Sequence, residues 1–445
     1  MIKRLFSFMC LIAVLGFIGL AQVPEGRIEL ELWLSLRGPL FDAFAAEAMR
    51  FNEAQNVYWV TPIWKGTYPE VLSALIAAVR AGEQPHIVQI FEAGTAIMMF
   101  GLKDFVYPVQ DLMAEHGVAF EPKVYIPAVV GYYSLPDGQL GALPYNSSTA
   151  VLWYNKDAFR KAGLDPENPP RTWGEVKKAA EAIKATGAAE IPLSAAWPTW
   201  TLFEQMAAIH NVPFATKANG FEGLDTQLLL NTEFFAKHLN FLLDMAEEGL
   251  FVYGGRDAEA DGLFPAGKAA MLLASSGLRA RIEAEAEFEY GCTFLPYHDD
   301  VVDKPYNSII GGAALWAMKN PKFTEEEYRG MALFFDFLTR AENVAWRHMT
   351  TGYMPITSTA YLLTKAEGYY DKKPEAEIPV LQLMRTPTTE YTRGLRLGNL
   401  PAIRVIMYEE LEAALMRKQT AEEALTRMVE RGNELLREFE ALYGE

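Results

Sequence analysis

Strand-forming and helix-forming segments alternate near the start of the chain, and this alternation limits the fold more than any other feature. Ile28–Leu32 alternates apolar and acidic residues as a strand does, and Leu40–Asn52 has helical spacing. A second strand, Val57–Trp64, precedes a helix that begins at Thr67, and a third strand is predicted at Ile87–Phe91. Because strands joined by helices usually lie parallel, the order predicts a parallel sheet covered by helices.

Similar units recur later, so the chain has material for a second α/β lobe. Leu143–Tyr154 has the pattern of a strand pair or a hinge strand, and Ala269–Ala274 is a short apolar strand. Capping-box patterns, which start helices, occur at Thr67, Thr172 and Thr420. A chain of 445 residues is also too long for one small core. The sequence therefore predicts two lobes.

The first residues have the order typical of a secretory signal peptide. Lys3 and Arg4 precede the apolar run Leu11–Leu20, which ends on small residues, so residues 1–21 are predicted to be cleaved. A retained membrane anchor is the alternative, but the run is short for a spanning helix. Cys10 lies too early for lipid attachment, and its loss leaves Cys292 as a single core cysteine without a disulfide partner. We expect a soluble periplasmic protein.

Composition and motifs exclude several classes of function. The formal net charge of −17 at pH 7 disfavours a nucleic-acid partner. The chain lacks the motifs of nucleophile elbows, phosphate-binding loops and zinc proteases, and its six histidines have no metal-ligand spacing. The His298–Asp300 cluster is interpreted as a solvated loop, with a cation site as the alternative. No catalytic residue, metal or cofactor is predicted.

Polar residues follow the predicted strands at the positions where α/β folds bind ligands. Tyr68 and Glu92 occupy such positions in the first lobe, and Ser275 closes the strand Ala269–Ala274. Arg404 lies in the opening turn of a helix, and a helix terminus with a guanidinium suits a phosphate. The alternatives are a helix cap for Ser275 and a surface ion pair for Arg404.

Several segments closely resemble the sn-glycerol-3-phosphate-binding proteins of ABC importers, within extracellular solute-binding protein family 1. The resemblance extends over nearly the whole mature chain. Its segments are Lys65–Glu70, Pro85–Ala96, Leu143–Thr149, Trp197–Trp200, Ala274–Gly277, Ile310–Gly312, Thr351–Ile356 and Gly394–Arg404. The strand end at Glu92 and the stretch that ends at Arg404 are more specific to the glycerol-phosphate branch, whereas Thr351–Ile356 is shared with sugar-binding proteins.

The resemblance implies a set of ligand-binding residues: Tyr68, Glu92, Ser147, Trp197, Trp200, Ser275, Gly312, Tyr353 and Arg404. It implies that Arg404, the serine hydroxyls, Tyr353 and the Gly312 N–H meet phosphate oxygens, and that Glu92 accepts from the glycerol hydroxyls. Trp197 and Trp200 would form an apolar wall or belong to the core.

The resemblance also implies the type II periplasmic binding-protein fold, in which two α/β lobes close on a ligand in the cleft between them. We place lobe I at residues 22–145 plus 296–365, and lobe II at residues 146–295 plus 366–445. The implied function is capture of sn-glycerol-3-phosphate, or also glycerophosphocholine, for the membrane permease subunits of an ABC importer. The alternatives are a binding protein for a neutral oligosaccharide and a glycerophosphodiester hydrolase.

Overall fold

The computed structural model describes residues 23–444, so the predicted signal peptide lies outside the described residues. The strands of these residues form two β-sheets. The strands are β1 (Ile28–Leu34), β2 (Tyr58–Trp64), β3 (Ile87–Phe91), β4 (Val106–Tyr107), β5 (Leu143–Ser148), β6 (Ala150–Asn155), β7 (Ile191–Ala195), β8 (Phe251–Tyr253), β9 (Ala269–Ser275), β10 (Tyr290–Thr293) and β11 (Gly311–Met318).

The helices surround both sheets. They are α1 (Pro39–Ala54), α2 (Tyr68–Ala81), α3 (Val109–Glu115), α4 (Pro127–Tyr133), α5 (Lys156–Lys161), α6 (Trp173–Thr186), α7 (Gln205–Ile209), α8 (Thr216–Gly220), α9 (Glu233–Glu247), α10 (Arg279–Glu285), α11 (Glu325–Thr339), α12 (Ala341–Thr351), α13 (Ser358–Ala366), α14 (Tyr369–Lys372), α15 (Ile378–Leu383), α16 (Leu400–Leu415) and α17 (Ala421–Tyr443). The segment α8 is a left-handed turn. Short 3-10 or π-helical turns occur at Glu92–Gly94, Ile97–Gly101, Lys103–Phe105, Pro122–Val124, Trp200–Glu204, Glu259–Gly262, Ser276–Leu278 and Pro374–Ala376.

The first sheet has the order β2-β1-β3-β11-β4, with β5 also paired to β11. As predicted from the alternation, β1 pairs in parallel with both β2 and β3. The later strands differ from that prediction, because β11 runs antiparallel to β3, β4 and β5. Every residue of β3 is buried, as expected for a central strand covered on both faces. The carboxyl end of β3 therefore delivers Glu92 to the sheet edge.

The second sheet has the order β10-β6-β9-β7-β8. β7 pairs in parallel with β8 and β9, and β6 pairs antiparallel with β9 and β10. The carboxyl ends of β7 and β9 lie at the same edge and lead into the helical turns Trp200–Glu204 and Ser276–Leu278. This edge supplies the second set of polar side chains, as the first sheet does at the end of β3.

The chain crosses between the sheets at Thr149, because β5 belongs to the first sheet and β6 to the second. Residues 143–148 pair with β11 as one strand, so the crossing falls just beyond the predicted boundary at residue 145. The chain returns to the first sheet between β10 and β11. How the helices divide between the lobes stays a prediction.

Helix starts follow the local sequence. Thr67, Thr172 and Thr420 each form the predicted capping box with the glutamate three residues later. Cys292 is buried, as expected for a core residue. Within residues 23–444, no helix combines the length and apolarity needed to cross a membrane.

Candidate functional site

A cavity of about 380 Å³ lies between the two sheets, where the strand ends of both meet. It is within the size range of small-molecule sites. Eight of the nine predicted ligand-binding residues line it: Tyr68, Glu92, Trp197, Trp200, Ser275, Gly312, Tyr353 and Arg404. Residues far apart in sequence thus converge on one concave surface.

Arg404 is held between two buried carboxylates at one end of this cavity. Its Nε donates to Glu204 Oε1 at 2.7 Å and its Nη2 donates to Glu204 Oε2 at 2.8 Å, which is a two-point clamp. Nη2 also donates to Glu92 Oε1 at 2.8 Å. Glu92 follows β3 of the first sheet and Glu204 ends the turn after β7 of the second, so Arg404 joins the two sheets.

The pKa values of this group follow from burial and from the neighbouring charges. Burial raises the pKa of Glu92, Arg404 opposes the rise and the charge of Glu204 adds to it. Burial would lower the pKa of Arg404, but the carboxylates of Glu204 and Glu92 outweigh it and hold that pKa above its ordinary value. Arg404 is therefore a permanent cation.

Two tyrosines form a polar wall beside Glu92. Tyr68, the first residue of α2, stacks on Phe91 with ring centroids 5.5 Å apart, and its hydroxyl accepts from Asn146 Nδ2 at 2.9 Å. The ring of Tyr353 packs against Gly277, where a Cβ would lie 2.9 Å from it. Burial raises the pKa of both tyrosines, so both hydroxyls stay protonated and can donate.

Ser275 and Gly312 present small polar groups to the cavity. Ser275 Oγ accepts from the Gly277 N–H at 3.1 Å, so Ser275 caps the helical turn, which was the structural alternative to a ligand-binding role. It also lines the cavity, so the two interpretations hold together. Gly312 has φ of +86°, and a Cβ there would lie 2.0 Å from the Asn146 carbonyl oxygen. Only glycine fits this position.

The two tryptophans differ in their surroundings. Trp200 is buried against Gly311, and its Nε1 has no hydrogen-bond partner among residues 23–444. Trp197 is half-buried, and the centroid of its ring lies 6.5 Å from the centroid of the Tyr68 ring. Both rings line the cavity and both pack on core residues, so the wall and core interpretations are not exclusive.

Ser147 is the one predicted residue that does not line the cavity, whereas the next residue, Ser148, does. Ser147 is fully buried beside Gly312 in the β5–β11 pair, and its Oγ has no partner in the described part of the chain. Successive side chains of a strand point to opposite faces, which separates the two serines. The pairing of β5 with β11 also shifts register between Ala313 and Ala314.

The sequence did not point to five charged residues of this region. Four of them line the cavity, namely Arg37, Asp261, Arg281 and Glu285, and Glu204 clamps Arg404 from behind. Glu204 comes shortly after the Trp197–Trp200 segment that carries the resemblance, which was the only available signal. Asp261 lies in a turn with no motif, and Glu285 belongs to a helical charge pattern with Arg281, to which it is paired at 2.9 Å.

The carboxylate of Asp261 should make the free energy of unfolding depend on pH. Burial raises its pKa to about 7, and its Oδ1 has no hydrogen-bond partner within residues 23–444. An unfolded aspartate titrates near about 4, so the folded protein binds more protons between these values, and the free energy of unfolding falls as pH rises through that window. Asp261→Asn should therefore raise the melting temperature above pH 7 and change it little below about pH 4.

Thermal unfolding of both proteins across this pH range measures the effect. Asp257→Asn is the control, because Asp257 is a nearby carboxylate whose Oδ1 accepts a hydrogen bond from the Tyr408 hydroxyl. A difference between parent and Asp261→Asn that is constant with pH would contradict the prediction.

The histidines do not combine with acidic residues into a metal site in residues 23–444. His298 belongs to a buried cluster, in which its Nε2 lies 3.0 Å from His238 Nδ1 and its backbone N–H donates to His210 Nε2 at 2.8 Å. Burial lowers the pKa of all three imidazoles. Asp300 instead pairs with Lys237 at the surface. Asp300 is therefore solvent-exposed, as predicted for this loop, whereas His298 is buried and the prediction was wrong for it.

The sequence matches the family model of bacterial extracellular solute-binding proteins over residues 36–345. The chain belongs to this family. Curated relatives extend the match: the sn-glycerol-3-phosphate-binding periplasmic protein UgpB of Rhizobium meliloti (strain 1021) is 43% identical over 415 residues, which cover 93% of this chain and 95% of the relative. UgpB of Escherichia coli O6:K15:H31 is 45% identical over 426 residues, 95% of this chain and 96% of the relative.

Solved structures share the architecture. UgpB from Mycobacterium tuberculosis, in complex with glycerophosphocholine, has a TM-score of 0.77 and 25% identity and covers 93% of this chain and 99% of its own. Maltose-bound T. maritima MalE3 has a TM-score of 0.73 at 16% identity, over 92% of this chain and 98% of its own. The predicted two-lobed α/β binding-protein fold is confirmed, and the periplasmic relatives confirm the predicted location.

Proposed function

We propose that the chain captures sn-glycerol-3-phosphate, or also glycerophosphocholine, and delivers it to the permease subunits of an ABC importer. One observation carries the proposal: curated relatives that are 43% and 45% identical over almost the whole chain are named for sn-glycerol-3-phosphate. The eight predicted residues that line one cavity support it.

The cavity offers the chemistry that a polyol phosphate needs. Hydroxyls and small backbone groups at Ser275, Gly312 and Tyr353 can donate to phosphate oxygens. Glu92 offers a carboxylate to the glycerol hydroxyls, and the faces of Trp197 and Trp200 suit the C–H face of a small polyol. The same contacts serve the monoester and the diester, so both compounds belong to the proposal.

Neutral sugars are the second candidate ligand class, since the MalE3 likeness extends over 92% of this chain. That likeness concerns the fold, and the same fold hosts different ligands. Arg281 at the cavity wall is paired with Glu285, so the charge of this wall does not decide between a sugar and a phosphate ester. The relatives named for sn-glycerol-3-phosphate, at 43% and 45% identity, favour the phosphate ester.

Calorimetric titration of the mature protein tests the ligand. We expect saturable binding of sn-glycerol-3-phosphate and glycerophosphocholine, and far weaker binding of inorganic phosphate and maltose. Tighter binding of maltose would select the oligosaccharide alternative. Failure of both glycerol esters to bind a folded protein would refute the proposed ligand.

The same sample tests for turnover. We propose binding without hydrolysis, because the family consists of solute-binding proteins and no catalytic residue is predicted. Stoichiometric protein incubated with glycerophosphocholine should release no choline. Release that follows the pure protein through fractionation would select the hydrolase alternative.

A further inference from the structure

Glu204 determines which guanidinium nitrogens of Arg404 are free to bind a ligand. Its carboxylate accepts from both Nε and Nη2 of Arg404, and its side chain is 1% exposed. These two nitrogens form the edge with which an arginine usually holds a phosphate. With that edge occupied, and with Nη2 also bonded to Glu92, the group left for a ligand is Nη1, which has no hydrogen-bond partner among the described residues.

Charge at this end of the cavity also opposes a phosphate. Two carboxylates, Glu92 and Glu204, face the single guanidinium of Arg404 within 2.8 Å. A dianionic phosphate placed here would meet two negative groups in a buried site, where repulsion is weakly screened. A glycerol hydroxyl meets no such penalty, because it can accept from Nη1 and donate to Glu92.

We propose that Glu204 is a positioning residue that turns Arg404 into a donor for the glycerol hydroxyls and excludes the phosphate from this end of the cavity. The inference rests on the proposed function and replaces the phosphate-binding role that the family resemblance implied for Arg404. The phosphate is then placed at the other donors that line the cavity, Ser275, Tyr353 and the turn at Gly277.

The variant Glu204→Gln tests the inference, because it keeps the size of the side chain and removes its charge. Binding of sn-glycerol-3-phosphate is compared with binding of propyl phosphate, which has the phosphate but no free hydroxyl. In the variant residue 204 keeps one acceptor oxygen, so Arg404 loses one of its two bonds to this side chain and the negative charge behind it. The preference for glycerol-3-phosphate over propyl phosphate should fall by about tenfold or more, with propyl phosphate binding unchanged or tighter.

Glu412→Gln is the matched control. Glu412 clamps Arg256 in the same two-point geometry, at 2.7 and 2.6 Å, from the same helix that carries Arg404. Neither residue lines the cavity. Loss of this clamp should leave the ratio of the affinities for glycerol-3-phosphate and propyl phosphate as in the parent. The control thus separates the general effect of breaking an ion pair from the effect of Glu204.

A pH profile gives a second readout that packing alone would not move. An ionised Glu92 accepts from a glycerol hydroxyl more strongly than its neutral acid does, so glycerol-3-phosphate binding weakens as pH falls through the pKa of Glu92. The charge of Glu204 contributes to the raised pKa of Glu92, so Glu204→Gln should move this weakening to lower pH. The other charged or titratable groups around Glu92 are Arg404, Tyr68, Tyr132, Tyr133 and Tyr353, and the variant keeps all of them.

The outcomes separate this inference from the proposed function. Absence of glycerol-3-phosphate binding by the parent refutes the proposed function. Parent-like binding with an unchanged affinity ratio and pH profile in folded Glu204→Gln refutes the role of Glu204 alone. Should Glu204→Gln not fold, Glu204→Asp keeps the charge but cannot reach both nitrogens, and the affinity ratio should fall in the same direction.

Discussion

Arg404→Ala is expected to lower the affinity for sn-glycerol-3-phosphate by about 30-fold to several thousand-fold, as loss of one partner of a desolvated charged pair does. The substitution removes the donor at Nη1 and leaves Glu92 and Glu204 buried without a cation. The two carboxylates would then repel each other and the ligand phosphate. Calorimetric titration at neutral pH measures the loss.

Arg404→Lys should restore only part of this affinity. An ammonium keeps the charge, but it lacks the planar group that satisfies Glu204 at two points and still reaches Glu92 and the ligand. Arg256→Ala is the control, because it removes an equally clamped arginine whose partner, Glu412, lies outside the cavity. Parent-like affinity in folded Arg404→Ala would remove Arg404 from the ligand site.

Gly312→Ala is expected to lower the free energy of unfolding by about 3–5 kcal/mol and to abolish ligand binding. Two costs add at this position. The φ of +86° disfavours any side chain, and the new Cβ would lie 2.0 Å from the carbonyl oxygen of Asn146, which the β5–β11 pair holds in place. Relief requires the two strands to separate beside the cavity.

Gly138→Ala isolates the second cost. Its φ of +91° is similar, but no atom lies within 4 Å of the added Cβ. It should lower stability by only about 1–2 kcal/mol, the cost of a left-handed backbone, and leave binding unchanged. Chemical denaturation of both variants gives the comparison. Equal losses for the two glycines would contradict the close approach at Gly312.

Helix starts and the first strands were predictable because they depend on neighbours in sequence. A capping box joins residues three apart, and the alternation of Ile28–Leu32 describes one strand without its partners. The antiparallel placement of β11 was not predictable, because strand pairing depends on residues far apart in sequence.

The candidate site was predictable mainly through the family resemblance, which supplied eight residues of one cavity. The position of Ser148 at the cavity was not predictable, because it depends on which face of β5 meets the cavity and on the register of β5 with β11. The ligand-binding role of Ser147 stays a prediction. Asp261 was missed because its isolation from hydrogen-bond partners arises only when distant segments bury it.

By itself, the sequence determined the α/β class, the local helix starts, the segments that resemble solute-binding proteins and the residue types at the site. Only the tertiary structure decided which end of the cavity Arg404 serves, since Glu92 and Glu204 are 312 and 200 residues away from it along the chain. The charge of a side chain is fixed by its identity. The groups that neutralise it, and hence the atoms left for a ligand, are fixed only by the fold.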